Sequence, residues 1–169
     1  MYPQIIYYSK CGATKDIAHT IGKKMGLDNI SDIRELKEIT SDVVIVGSAI
    51  YAEAPHIEIM RLLKDKEGKL QDKQVALFVV CLAKESRKFG GVEVGGSTYL
   101  RKMERALGRA PMATKIFGGK LMPSEMHEED RKQTEEFYKK HGMAILDINI
   151  TSEREVVEFI GEIKDMMKQ

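Results

Sequence analysis

The chain has 169 residues, 43% of them apolar and 31% charged, with a net charge of +1. That length suits one domain with a sizeable core and is short for two, so a single domain over residues 1–169 is expected. The near-neutral charge gives no case for nucleic acid, which calls for a clustered basic face, and the longest apolar run is too short to cross a bilayer.

From the N-terminus, "MYPQIIYYS" enters a strand-like segment at Ile5–Tyr8 without a basic-then-apolar leader. "SKCGAT" (9–14) follows, and Ile17, Ala18, Ile21 and Met25 then recur at helical spacing. A weak strand is expected over 29–33 ("NISDI") and a strong one over 42–50 ("DVVIVGSAI"). Pro55 is expected in the first turn of a helix carrying Ile59, Met60 and Leu63. The fourth strand, 75–83 ("VALFVVCLA"), is continuous and Val-rich like the third. Strands covered on both faces read this way, as in parallel sheets.

Residues 84–96 ("KESRKFGGVEVGG") are rich in glycine near their end and are expected to form a mobile loop. Ser97 is expected to cap a helix with Leu100, Met103 and Leu107 on one face, and the last strand is expected over 113–121. Residues 124–141 begin with Ser124 and an acidic turn and end with Lys139 and Lys140, an order that favours a helix through its dipole. Their thin apolar face, Met126 and Phe137, places them on the surface, in an insertion at about 122–150. "SERE" (152–155) is a capping box leading into Val156, Val157, Ile160, Ile163 and Met167. Alternating strands and helices predict an open parallel α/β sheet covered on both faces. Cys11 and Cys81 are far apart and form no CxxC pair, which suits a reduced, cytoplasmic protein.

In such sheets ligands bind at the carboxyl ends of the strands, where the winding reverses. The loops expected there are "SKCGAT" and "GSAIYAEAP" (47–55). Unpaired N–H groups at a helix start, with the helix dipole behind them, suit a phosphate. Ser9 and Thr14 can add hydroxyl donors, Lys10 can add charge, and Gly12 lets the backbone approach without a Cβ. An ordinary strand-to-helix turn capped by Ser9 or Thr14 has the same composition. Neither GxGxxG nor GxxxxGK[ST] is present. A phosphatase loop of the cysteine type needs an arginine six residues beyond Cys11, where Ile17 stands.

"S-x-x-G-x-T" after the first strand resembles the phosphate loop of flavodoxins, T/S-x-T-G-x-T, and "GSAIY" resembles their first flavin-flanking loop. "IVGSAIYAEAPH" and the long insertion before the last helix are nearest the flavodoxin-domain subfamily that includes menaquinone-dependent protoporphyrinogen oxidases. The resemblance implies a flavodoxin-like, doubly wound five-stranded sheet of order 2-1-3-4-5. It implies FMN as cofactor, its phosphate wrapped by Ser9, Lys10, Cys11, Gly12, Ala13 and Thr14. Ser48, Ala49, Ile50 and Tyr51 would lie along the isoalloxazine, with Tyr51 stacking on it. Cys81, Leu82 and Ala83 would approach its other side, and Gly90 and Gly91 would close over it. No metal is implied and no catalytic residue is fixed, although His56 is the best placed.

Many flavodoxins have glycine after the aromatic residue, where Ala52 and Glu53 stand here; a Cβ makes positive φ costly there. Electron-carrying flavodoxins are usually acidic, so the +1 charge shifts weight toward an FMN-dependent oxidoreductase acting on a quinone, a small molecule or a redox partner protein. A flavodoxin-type electron carrier and a cofactor-free binding module are the alternatives, and a homodimer is compatible with all three.

Overall fold

A computed structural model describes residues 2–65 and 68–169. The parallel sheet is built from β1 (Gln4–Tyr8), β2 (Ile30–Asp32), β3 (Val43–Tyr51), β4 (Gln74–Cys81) and β5 (Ala113–Gly118), in the order β2-β1-β3-β4-β5. This is the expected order. Helices α1 (Ala13–Met25) and α5 (Glu153–Met166) cover one face, and α2 (Ile57–Lys64) and α3 (Gly96–Leu107) cover the other.

The continuous apolar runs of β3 and β4 feed two cores at once. Ile45 and Phe78 point to the α1/α5 side, while Val44, Val46, Leu77 and Val79 point to the α2/α3 side. On the first side Phe78, Phe117 and Phe159 form an edge-to-face triad with centroids 5.6 to 6.2 Å apart, which ties α5 to β4 and β5. Gly47, opposite Phe78 in the register, leaves the space this ring fills: a Cβ there would lie 2.0 Å from Phe78 Cζ. Buried Gln4 spends its amide on the 36–41 segment, donating to the Glu38 carbonyl at 2.9 Å and accepting from the Thr40 N–H at 3.1 Å.

Several local expectations are corrected. Pro55 precedes α2, pairing antiparallel with Ile50 through the short Ala54–Pro55 strand; His56 is the cap, its Nδ1 accepting from the Glu58 N–H at 3.3 Å. Ser97 lies inside the first turn of α3, which Gly95 begins. Residues 84–96 form a hairpin, Arg87–Phe89 against Val92–Val94. Its turn is Gly90-Gly91, with φ of 56° and 83°, the left-handed pair that a type I′ connection requires. The base is drawn together by the Gly96 N–H donating to the Ala83 carbonyl at 2.8 Å.

The final strand stops at Gly118, and Lys120–Leu121 turns aside to pair antiparallel with Ile148–Asn149. Between these partners α4 (Glu128–Lys140) lies on the surface with no buried residue. Ser124 does not cap it; its hydroxyl donates to the Asp147 carboxylate at 2.6 Å. Ser152 does cap α5, accepting from the Glu155 N–H at 3.4 Å, while the Glu155 carboxylate is engaged by Lys84. Among the described residues no helix is long and apolar enough to cross a membrane.

At the end of β2, Asp32 holds Arg34 through two side-chain contacts of 2.7 and 2.6 Å and also accepts from its backbone N–H. Burial alone would raise the Asp32 pKa, but the Arg34 hydrogen bonds outweigh it and leave the carboxyl below its ordinary 3.8. A folded-state pKa below the unfolded one adds stability above 3.8 that is lost as pH falls through the lowered value. Asp32→Asn is therefore expected to flatten this part of the acid limb and to cost about 1 kcal/mol at neutral pH, allowing for the exposed guanidinium. Denaturant titrations of both proteins from pH 7 down to pH about 2 check this.

Candidate functional site

The winding reverses between β1 and β3, and the loops leaving β1, β3, β4 and β5 meet there around a cleft of about 200 Å³. Ser9, Cys11, Ala13, Thr14, Ala49, Ile50, Tyr51, Cys81 and Leu82, all singled out from the sequence, line it. So do Val80, Gly119, Lys120 and Leu121, which sequence reasoning missed. The last three were read as the end of one strand, and only the turn after Gly118 brings them to the cleft.

The first loop is shaped by its own side chains. Gly12 has φ 93° and begins α1, with open space where a Cβ would stand. Glycine is required there by backbone conformation, not by crowding. Buried Ser9 accepts from the Gly12 N–H at 3.1 Å, which curls the loop. No side chain caps α1, so its first-turn amides face the cleft side with the positive end of the helix dipole.

Tyr51 reaches across from β3, and its hydroxyl oxygen accepts from the N–H groups of Lys10 (3.1 Å) and Cys11 (3.3 Å). Burial, with Cys11 next in weight, pushes its phenol well above the ordinary range. Behind it a stack runs through the first loop's flank. Tyr51 meets Tyr8 edge-on at 6.2 Å, His56 lies flat on Tyr8 with centroids 3.4 Å apart, and Arg34 sits over Tyr8 at 5.0 Å. Burial lowers the His56 pKa, with Arg34 adding to the drop and Glu58 and Asp32 opposing it.

The turn that carries Tyr51 is strained. Ala52 and Glu53 have φ of 48° and 59°, although neither is glycine. They join Tyr51 to Ala54 in the antiparallel pair, so the Cβ-bearing residues adopt the conformation their side chains disfavour. Contacts from α3 hold them: Lys102 Nζ donates to the Glu53 carbonyl at 2.7 Å, and the Tyr99 hydroxyl donates to the Glu53 carboxylate. Burial and that carboxylate push Tyr99 up to about 12. Left-handed backbone costs a non-glycine residue about 1–2 kcal/mol. Ala52→Gly is expected to raise stability by about 0.5–1 kcal/mol once the freer unfolded chain is counted, measured by urea denaturation. Glu53→Gly gains less, because it also loses the Tyr99 contact.

The remaining expected residues fall elsewhere. Ser48 is fully buried and spends its hydroxyl inside the fold, donating to the Ala49 carbonyl at 2.8 Å and accepting from the His56 N–H at 2.9 Å. Ala83 closes the hairpin base, and Gly90 and Gly91 are at the hairpin tip; none of the three is among the residues lining the cleft. Cys81 donates to the Ala83 carbonyl at 3.4 Å, and burial pushes its thiol up to about 11, the behaviour of a packed side chain and not of a reactive thiolate. Lys10 and Gly12 border an adjoining cleft of about 300 Å³, shared with Met122, Met126, His127 and Asp130. A larger depression of about 570 Å³ between α1 and α5 lies off the strand ends. Two of its three lysines are already matched, in the Lys24–Glu153 and Lys120–Asp16 pairs.

A doubly wound sheet with an amide-lined loop at its switch point defines a nucleotide-type α/β protein. The chain belongs to the flavodoxin domain family, whose model matches residues 4–144. Comparison with curated proteins found no match. Among solved structures, a Fusobacterium nucleatum flavodoxin bound to flavin mononucleotide is 17% identical over 97% of each chain, with a TM-score of 0.54. Rubredoxin oxygen:oxidoreductase from Desulfovibrio gigas is 12% identical with a TM-score of 0.51, covering 99% of this chain and 37% of that one. A flavodoxin from the domain Archaea is 15% identical, covering 97% of this chain and 99% of that one, with a TM-score of 0.48.

Proposed function

We propose that the protein is an FMN-dependent oxidoreductase, of the type that the menaquinone-dependent protoporphyrinogen oxidases represent. One observation carries the reading: the free amides at the start of α1 and the ends of β3 and β4 converge on one cleft at the switch point. The residues present fit the group. Two loop amides already bind an oxygen atom, the Tyr51 hydroxyl, and a phosphate oxygen is a stronger acceptor of the same kind. Bound FMN would supply the electron and hydride chemistry.

The chain's own groups hold and orient that cofactor. Cys11, Ala13 and Thr14, with the Lys10 backbone, hold the phosphate, and Ser9, bonded to the Gly12 N–H, keeps the loop curled. Ala49, Ile50 and Tyr51 line one side of the ring, and Cys81 and Leu82 the other. Lys120 lines the same cleft with its charge already paired to Asp16 at 2.5 Å. The net charge of +1 supports an enzyme over an acidic shuttle. Purified protein should show the yellow absorbance of a flavin, with FMN released on denaturation; a colourless protein that takes up no added FMN overturns the reading. Oxidation of protoporphyrinogen with a quinone acceptor then tests the finer assignment, and its absence discards that assignment alone.

A further inference from the structure

The residue expected to stack on a flavin is engaged elsewhere. The Tyr51 hydroxyl sits on the Lys10 and Cys11 amides at 3.1 and 3.3 Å, the donors that a phosphate needs. Its ring is itself a wall of the cleft. At about 200 Å³ that cleft is below the roughly 300–1,000 Å³ usual for small-molecule sites. The backbone beneath it is pinned by Lys102 and Tyr99 through Glu53, so the side chain is the part free to move. Tyr51 is 36% exposed, which leaves it a solvent side to swing into.

We propose that Tyr51 is a two-position gate: its hydroxyl occupies the phosphate donors of the first loop until an incoming phosphoryl group displaces it. This rests on reading the cleft as the FMN phosphate site. The closed position satisfies the amides and props the loop in its binding shape. It also taxes every phosphorylated ligand by the fraction of molecules held closed. Displacement turns the ring toward the space beside Ala49 and Leu82, where it can stack. A ligand without a phosphate has nothing to exchange for the hydroxyl.

Tyr51→Phe tests the gate, because it keeps the ring and removes only the competing oxygen. In protein freed of flavin, the ¹⁵N–¹H signals of Lys10 and Cys11 should move more in the variant than those of any other loop amide. FMN and inorganic phosphate should bind about tenfold tighter than to wild type. Unmoved Lys10 and Cys11 signals, or equal FMN affinity in both proteins, overturn the gate and leave the cofactor assignment standing. Tighter inorganic phosphate in the variant, with no FMN binding by either protein, upholds the gate and removes the cofactor assignment.

Discussion

Thr14→Asp lowers FMN affinity at least tenfold, about 1.4 kcal/mol. Thr14 lines the cleft from the first turn of α1 and is almost wholly buried. With the phosphate where we propose it, a carboxylate there would face the dianion with little water between them, and the repulsion would be correspondingly strong. Aspartate is favoured in the first turn of a helix, which offsets part of the cost of placing a charge at this buried position. Thr14→Val is the matched comparison: it keeps the shape, removes the hydroxyl and introduces no charge. Fluorescence titration of apoprotein with FMN and with riboflavin separates the causes, because only FMN carries the phosphate. Equal FMN affinity in Thr14→Asp and wild type places the phosphate somewhere else.

Phe78→Ala destabilises the protein by about 3–5 kcal/mol, the range for an aromatic truncated in a packed core. The ring is fully buried, touches Phe117 and Phe159 edge-on, and fills the space above Gly47. Its removal empties a volume framed by two strands and a helix, and the backbone at Gly47 has no side chain to move in. The thermal midpoint and the urea midpoint should both fall. Gly47→Ala is the reciprocal insult, as its methyl would enter the ring's place. The two changes combined should recover part of the loss.

These two sites differ in how far the sequence announces them. The sheet order follows from the continuous β3 and β4 runs and the alternation of helices, which leave few right-handed arrangements. The first loop was legible too, because a hydroxyl and a glycine stand between a strand and a helix whose first turn carries a second hydroxyl. The hairpin carried a readable signal, Gly-Gly between "RKF" and "VEV", masked by the other glycines nearby. Lys120 and its neighbours were hidden, since nothing local says that a strand ends at Gly118 and turns. The strain at Ala52 and Glu53 runs against local preference, and the contacts that hold Glu53, from Tyr99 and Lys102, arrive from α3. Tyr51 on the Lys10 amide spans 41 positions, a distance over which no spacing rule operates.

The hydrogen bond between Ala83 and Gly96 has a consequence for engineering and for descent. The neck closes the segment at its base, but Lys84 also engages Glu155 of α5, and Ser86 and Glu93 engage Ser97 and Arg101 of α3, so a replacement hairpin has to carry those contacts as well. Gly95 and Gly96 must be retained, because a side chain on either would strike the backbone of Glu85 or Lys84. A foreign hairpin grafted onto that neck with those anchors kept would change the surface this edge of the molecule presents while the parallel sheet stays in register.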